Sequence, residues 1–240
     1  PKSLLSTPEF NQTRELMNNY NIEKIVDFGE KAFDVKIETI GFVLKKIKLK
    51  SKNKVKIESF GTGEKTLLDQ SYVTSDKFPY WLIYRNEFFD SVAKKIKFGI
   101  LSAFRDRQIT KKITKSEGDI RVLKSRNIES NSIKNIPNYD CYVDNDQIDS
   151  LAVGKYLNAK KAILIPNLTY FPRACFMPKN TICDGSVAIA LPKNGTKINK
   201  KTLEYYSTDE FREFYRIARN KSTRSMNIDS NSIFFFGKVN

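Results

Sequence analysis

The stretch KKAILIPNLTYFPRACFMPKNTICDGSVAIALPKN (160–194) constrains the fold most, because it reads as strand and turn throughout. AILI is a buried strand, Pro166, Pro172 and Pro178 punctuate the segment after it, and Asp184-Gly185 carries a hairpin signal before SVAIAL returns as another strand. IRVLKSRNI (120–128) reads as a further strand running into a loop, and IFFFG (233–237) as a buried closing strand. A helix is expected to begin at Ser207, with Ser207 as N-cap and Glu210 closing a capping box. Its stripe is Phe211, Phe214, Tyr215 and Ala218, and Arg212, Arg216 and Arg219 share another face.

The first fifty residues read differently. Thr7-Pro8-Glu9 starts a helix over 8–20, IEKIVDFG (22–29) is a strand burying Ile22, Ile25 and Val26, and ETIGFVLKKIKLK (38–50) is its neighbour at a sheet edge. Residues 51–80 are polar and rich in turns. FGTGEK (60–65) is the only Gly-rich loop; without a following apolar helix it reads as connector rather than nucleotide-binding turn. Phe88, Phe89, Val92 and Ile96 form a helical core stripe. The fold class is therefore mixed α+β.

Charge and absences bound the chemistry. Lys and Arg number 42 against 27 Asp and Glu, a net charge of +15, which fits either a polyanion partner or a solvated Lys-rich surface. With no His, a Ser-His-Asp triad, a Cys-His dyad and His-ligated metal are excluded, and no metal site is expected. Cys141, Cys175 and Cys183 lack CxxC spacing, and an odd cysteine suits a reducing cytosol, so a cytoplasmic location is expected. No apolar run is long enough to span a membrane, and no membrane partner is expected. The opening on Pro1 reads as a piece of something longer.

PKSLLSTPEF followed by IVDFGEKAFDVKIETIGFVLKK resembles the back half of the catalytic domain of N6-adenine DNA methyltransferases. VLKSRNI, IPNLTYFPRACFMPKN, DGSVAIAL and EFREFYRIARNKSTRSMNID look like the DNA target-recognition domain of such enzymes, most of all those of type IIS-like restriction-modification systems. The resemblance implies the C-terminal portion of a methyltransferase catalytic domain at 1–50, a connector at 51–98 and a mostly β target-recognition domain with packed helices at 99–240. It further implies recognition of double-stranded DNA within an S-adenosylmethionine-dependent adenine methyltransferase, with the upstream methyltransferase portion, and a restriction endonuclease or other subunit, as partners. The alternative is a specificity subunit or domain of a type I or type IIG complex; a generic RNA-binding module lacks the expected aromatic strand pair.

The family's Asn/Asp-Pro-Pro-Tyr/Phe catalytic loop and its Gly-rich donor loop have no counterpart here; the nearest string is Asn135-Ile136-Pro137-Asn138-Tyr139. No catalytic residue and no bound cofactor are therefore expected in this chain, and the methyl donor is implied only for a longer protein. Phe33 matches the family aromatic that stacks on a flipped adenine, with an ordinary core Phe as the other reading. Arg121, Lys124, Arg126 and Asn127 crowd one strand end; Asn167, Tyr170 and Arg173 crowd the next loop beside Lys179 and Asn180. Arg and Asn can read guanine and adenine edges, and Arg173 is expected to do so. Arg212, Arg216 and Arg219, followed by Lys221 and Arg224, suit phosphates, or form a solvated face balanced by Asp209, Glu210 and Glu213.

Overall fold

The computed structural model describes residues 1–49, 52–167, 169–221 and 228–239 and shows a mixed α+β protein with several small sheets. The chain divides into two compact units. Unit 1 is Pro1–Phe89 with a later stretch that includes Lys221, and unit 2 is Asp90–Arg219 with the last described residues.

In unit 1 a short helix, α1 (Asn11–Asn18), leads into β1 (Tyr20–Gly29), which lies between antiparallel β2 (Thr39–Lys48) and parallel β3 (Lys54–Ser59). β4 (Lys65–Asp69) closes the sheet in the order β2-β1-β3-β4 and runs into α2 (Gln70–Val73). Ile22 and Ile25 are three residues apart, an odd spacing for one strand face. A register shift between Ile22 and Lys24 absorbs the extra residue, and both join the core with Val55, Ile57, Trp81 and Ile83. Val26, expected to be buried, is only half so. The helix expected over 8–20 ends at Asn18, because Tyr20 already pairs with Lys48. Residues 51–98, expected as a connector, supply β3 and β4. The Gly-rich turn joins this antiparallel pair, with Gly63 at φ +73° and its N–H bonded to Ser59 O.

α3 (Glu87–Ala93) carries the boundary between the units. Phe89 and Val92 are buried there as expected, whereas Phe88 is exposed. In unit 2, β5 (Ile96–Lys97) and β6 (Leu101–Arg105) precede β7 (Ile120–Leu123), β8 (Ile128–Glu129), β9 (Ser132–Ile133), β10 (Cys141–Val143) and α4 (Asn145–Ile148). Next come β11 (Ile163–Pro166), β12 (Cys175–Phe176), β13 (Thr181–Cys183), β14 (Val187–Pro192), α5 (Lys200–Tyr205), α6 (Asp209–Tyr215) and β15 (Lys238–Val239). One sheet has the order β10-β7-β13, another β12-β11-β14-β6. Both contribute to one core that includes Val122, Leu123, Leu164, Ile182 and Ile189.

Three local expectations fail. Asp184-Gly185 is not a hairpin, because β13 pairs with β7 while β14 pairs with β11 and β6. The glycine is needed for a close approach instead: a Cβ at Gly185 would lie 2.6 Å from Asp106 O. The helix cap is Thr208, whose hydroxyl accepts from Phe211 N; Glu210 pairs with Lys95 and accepts from Tyr205. The IFFFG run is buried, but Ser232–Phe235 is a 3-10 turn rather than a strand. Asp229 causes this. Its carboxylate accepts from the N–H groups of Asn231 and Ser232, and its carbonyl from Ile233 N, so local capping wins over β propensity. The expected stripe on α6 holds: Phe211, Phe214, Tyr215 and Ala218 are all buried, packed with Phe98, Phe235 and Phe236.

Candidate nucleic-acid interface

The segment from Asn167 to Arg173 leaves the end of β11 and returns through β12. Asn167 is only 2% exposed, and its side-chain oxygen accepts from Ile228 N at 2.8 Å. Thr169 closes a tight turn: its hydroxyl accepts from Phe171 N (3.2 Å) and donates to Phe171 O (2.9 Å). Arg173 then spans the base of the loop. Its Nε donates to Ile128 O (2.6 Å), one terminal nitrogen to Thr169 Oγ1 (2.9 Å) and Phe171 O (3.2 Å), and the other to Ser125 O (2.9 Å). Burial lowers the Arg173 pKa, opposed by Glu129, from a value so high that the group stays cationic. Pro172 is buried, and the tip that projects is Tyr170 and Phe171, 62% and 58% exposed. The Arg212 guanidinium stands 5.1 Å from the Phe171 ring centre.

The neighbouring cluster is organised the same way. Arg121 donates to Asn135 Oδ1 (2.6 Å) and Lys134 O (3.0 Å) and pairs with Asp140 at 2.7 Å. Asn127 is wholly buried, donating to Lys134 O and Asp140 while accepting from Lys124 N. Burial would raise the Asp140 pKa, but the Ile136 N–H, Asn127 and Arg121 together hold it below the ordinary value. Lys124 donates to Tyr139 O and lies 4.0 Å from the centre of that ring, and the exposed Arg126 stands over the same ring at 4.9 Å. The segment Asn135–Tyr139, nearest in letters to the family's catalytic loop, is thus the part of the scaffold that Arg121 clamps.

Of the residues expected to read bases, Asn127 and Asn167 are buried beyond the reach of a base edge, and Arg121 and Arg173 donate to protein acceptors, although Arg121 Nε has no partner among the described residues. Side chains of these types also serve to pin irregular loops. Arg126 and Tyr170 are exposed at the same end of unit 2, joined through Ser125, which Arg173 holds. Lys179 and Asn180 are exposed too, but lie beyond the opposite end of β11, since Cys175 pairs with Leu164 and Phe176 with Ile163. On α6 and its continuation, Arg212 pairs with Asp209, Arg216 with Glu213 and Arg219 with Asp229; Arg216 is exposed, and Arg212 and Arg219 are half-buried. Lys221 is in unit 1, paired with Glu64 and above the Tyr84 ring; Arg224 lies outside the described residues. Phe33, on the segment between β1 and β2, is 66% exposed, so it is not a core Phe. Phe171 and Thr169 were missed as parts of this site, although the Tyr-Phe-Pro-Arg string placed an aromatic pair against a stiffening proline.

Among the described residues no group of three or more His, Cys, Asp or Glu could hold a metal, and no helix is long and apolar enough to cross a membrane. The Gly-rich turn does not suit a methyl donor or phosphate: it leads into β4 rather than a helix, and Gly63 N–H is already bonded.

No protein-family model and no curated protein matches this chain. Among solved structures, the type IIG restriction endonuclease BpuSI aligns with 99% of this chain and 39% of its own, at 11% identity and a TM-score of 0.38. The type IIL restriction-modification enzyme MmeI, solved in complex with DNA, aligns with 89% of this chain and 34% of its own, at 9% identity and a TM-score of 0.38. The chain thus spans less than half the length of either protein. A likeness of this size lends no residue a role.

Proposed function

We propose that this chain recognises duplex DNA in a sequence-specific way as the C-terminal part of an S-adenosylmethionine-dependent adenine-N6 methyltransferase of a restriction-modification system. Support comes first from the cation–aromatic cluster on unit 2, where the half-exposed Arg212 stands over the Phe171 ring and the exposed Arg126 lies at the same end as Tyr170. A net charge of +15 and the sequence resemblances add to it. In this reading the exposed arginines position phosphates, and Arg126, stacked over Tyr139, is the guanidinium best placed to read a guanine edge. The donor-binding and catalytic loops belong to another portion of the protein, and this chain alone binds no methyl donor.

Binding titrations on duplexes at several salt concentrations test the reading. Arg216→Ala should leave the melting temperature unchanged and flatten the log–log salt slope by about one unit. Absence of duplex binding at low salt would remove the proposal. Phe33→Ala, made in the protein with its methyltransferase portion, should slow methylation far more than it weakens DNA affinity. Because the Phe33 ring is exposed, the variant should melt with the wild type. Equal losses of turnover and affinity would exclude stacking on a flipped base.

A further inference from the structure

Most large apolar side chains described in unit 2 are buried or half-buried. Among the described residues, Tyr170 and Phe171 are the only large hydrophobic side chains it exposes, and they are consecutive. An exposed aromatic pair on a loosely held loop would mean little. This pair is held rigidly: Thr169 bonds Phe171 through both backbone groups, Arg173 ties the loop to Ser125 and Ile128, Pro172 is buried, and Asn167 anchors the entry strand. A tip ordered before contact loses little conformational freedom on binding. Cations flank it, with Arg212 against the Phe171 ring and Arg126 beyond the Ser125 contact.

We propose that the Tyr170–Phe171 tip is a wedge that enters a base step of duplex DNA and unstacks it, an inference that rests on the DNA-binding reading above. Two features favour a nucleic acid over a protein partner as the occupant: guanidinium groups stand beside the tip, Arg212 over the Phe171 ring and Arg126 next to the Ser125 contact, and the whole chain carries +15. Inserted apolar side chains kink a duplex toward the major groove, and the flanking arginines then meet phosphates drawn closer by the bend. The rings gain base faces in exchange for the stacking they interrupt. Arg173 acts here as a positioning residue that sets the angle of the tip rather than touching DNA.

The test uses the full chain and the duplex sequence that it enriches from a randomised pool, with 2-aminopurine walked through each position. The wild-type chain should brighten the probe severalfold at one step and leave the others dark. The Tyr170→Ala/Phe171→Ala double variant should abolish that signal and lose about tenfold in affinity with an unchanged salt slope. Tyr170→Ala alone, which removes the more exposed ring, should lower the signal and keeps the test valid if the double variant melts early. Arg126→Ala should weaken binding yet keep the brightening. Tight binding with no bright position, or a double variant that behaves as wild type, would overturn the wedge and leave DNA recognition standing; the second result would point to a protein partner for the tip. Absence of duplex binding by the wild-type chain would overturn both.

Discussion

Asp27→Ala is expected to destabilise unit 1 by about 3 kcal/mol, because it removes the buried partner of Lys2, leaving that ammonium to Glu38, and takes the acceptor away from Tyr84 and the Gly29 N–H. Asp27 is 0% exposed on the central strand β1. Its carboxylate pairs with Lys2 at 2.8 Å, accepts from Gly29 N at 2.9 Å, and accepts from the Tyr84 hydroxyl, which in turn meets Ser59 Oγ at 3.0 Å. Burial alone would raise its pKa; Lys2, Tyr84 and the Gly29 N–H overcome this and hold it below the ordinary 3.8. The sign comes from that direction. The native state favours the carboxylate, so the contribution is complete above the unfolded-chain pKa and is lost as pH falls through 3.8 toward the lower folded value. Glu58, drawn to about 2 by Lys24 and Lys56, acts in the same direction. Trp81, the single tryptophan, is buried in unit 1, so its fluorescence reports on this unit. Melting curves from pH 6 to pH 2 should show the wild type losing stability below about pH 4 and Asp27→Asn a flatter profile from a lower start. A variant that melts with the wild type at pH 7 would show that the buried pair contributes nothing.

β1 and β2 were readable because their apolar residues cluster, and β11, β14 and the α6 stripe for the same reason, whereas β3 and β4 lie in the polar segment expected as a connector. What periodicity cannot carry is partner choice over long separations. Asp184-Gly185 has the composition of a hairpin turn, yet β13 finds its partner in β7, about sixty residues earlier. Nor does it carry competition between neighbours: Ser207 and Thr208 can both cap a helix, and the hydroxyl that reaches Phe211 N is that of Thr208. The IFFFG run misled because Asp229, four residues upstream, offers the N–H groups there a better local bond than a ladder would. The candidate site was half legible. Residue types drew attention to loops whose arginines and asparagines prove to be tied into the fold, and Phe171, beside the expected Tyr170, was not singled out. Whether an Arg or Asn has donors to spare depends on folded geometry, which buries Asn127 and Asn167 and engages Arg121 and Arg173 with protein acceptors.

Arg173→Ala separates the two meanings of an arginine in a Pro-flanked loop, scaffold and reader, most sharply. Its guanidinium serves four acceptors at once, namely Ser125 O, Ile128 O, Phe171 O and Thr169 Oγ1. Truncation removes this donor from all four; Phe171 O and Thr169 Oγ1 keep each other and Ser125 O keeps the Ile128 N–H, so the cost, about 1–3 kcal/mol for a group that water cannot reach, comes from the Ile128 end of the clamp and from the loop it no longer holds. Unit 2 should therefore lose about 3 kcal/mol in all, which lowers its melting temperature by about 6–12 °C. Near-ultraviolet circular dichroism of the buried Tyr206 and Tyr215, both in unit 2, tracks the transition. Arg173→Lys should recover little, because one ammonium cannot span carbonyls on two segments and the Thr169 hydroxyl together. Duplex binding should weaken through loss of loop order, and the unstacking signal at the tip should broaden rather than move. A guanidinium that reads guanine directly makes the opposite forecast: an unchanged melting temperature and a loss of about 1–3 kcal/mol on the cognate duplex alone. Melting and binding measured on the same preparation decide between them, and a stable, selectively blind Arg173→Ala protein would return Arg173 to the base-reading role and remove it from the scaffold.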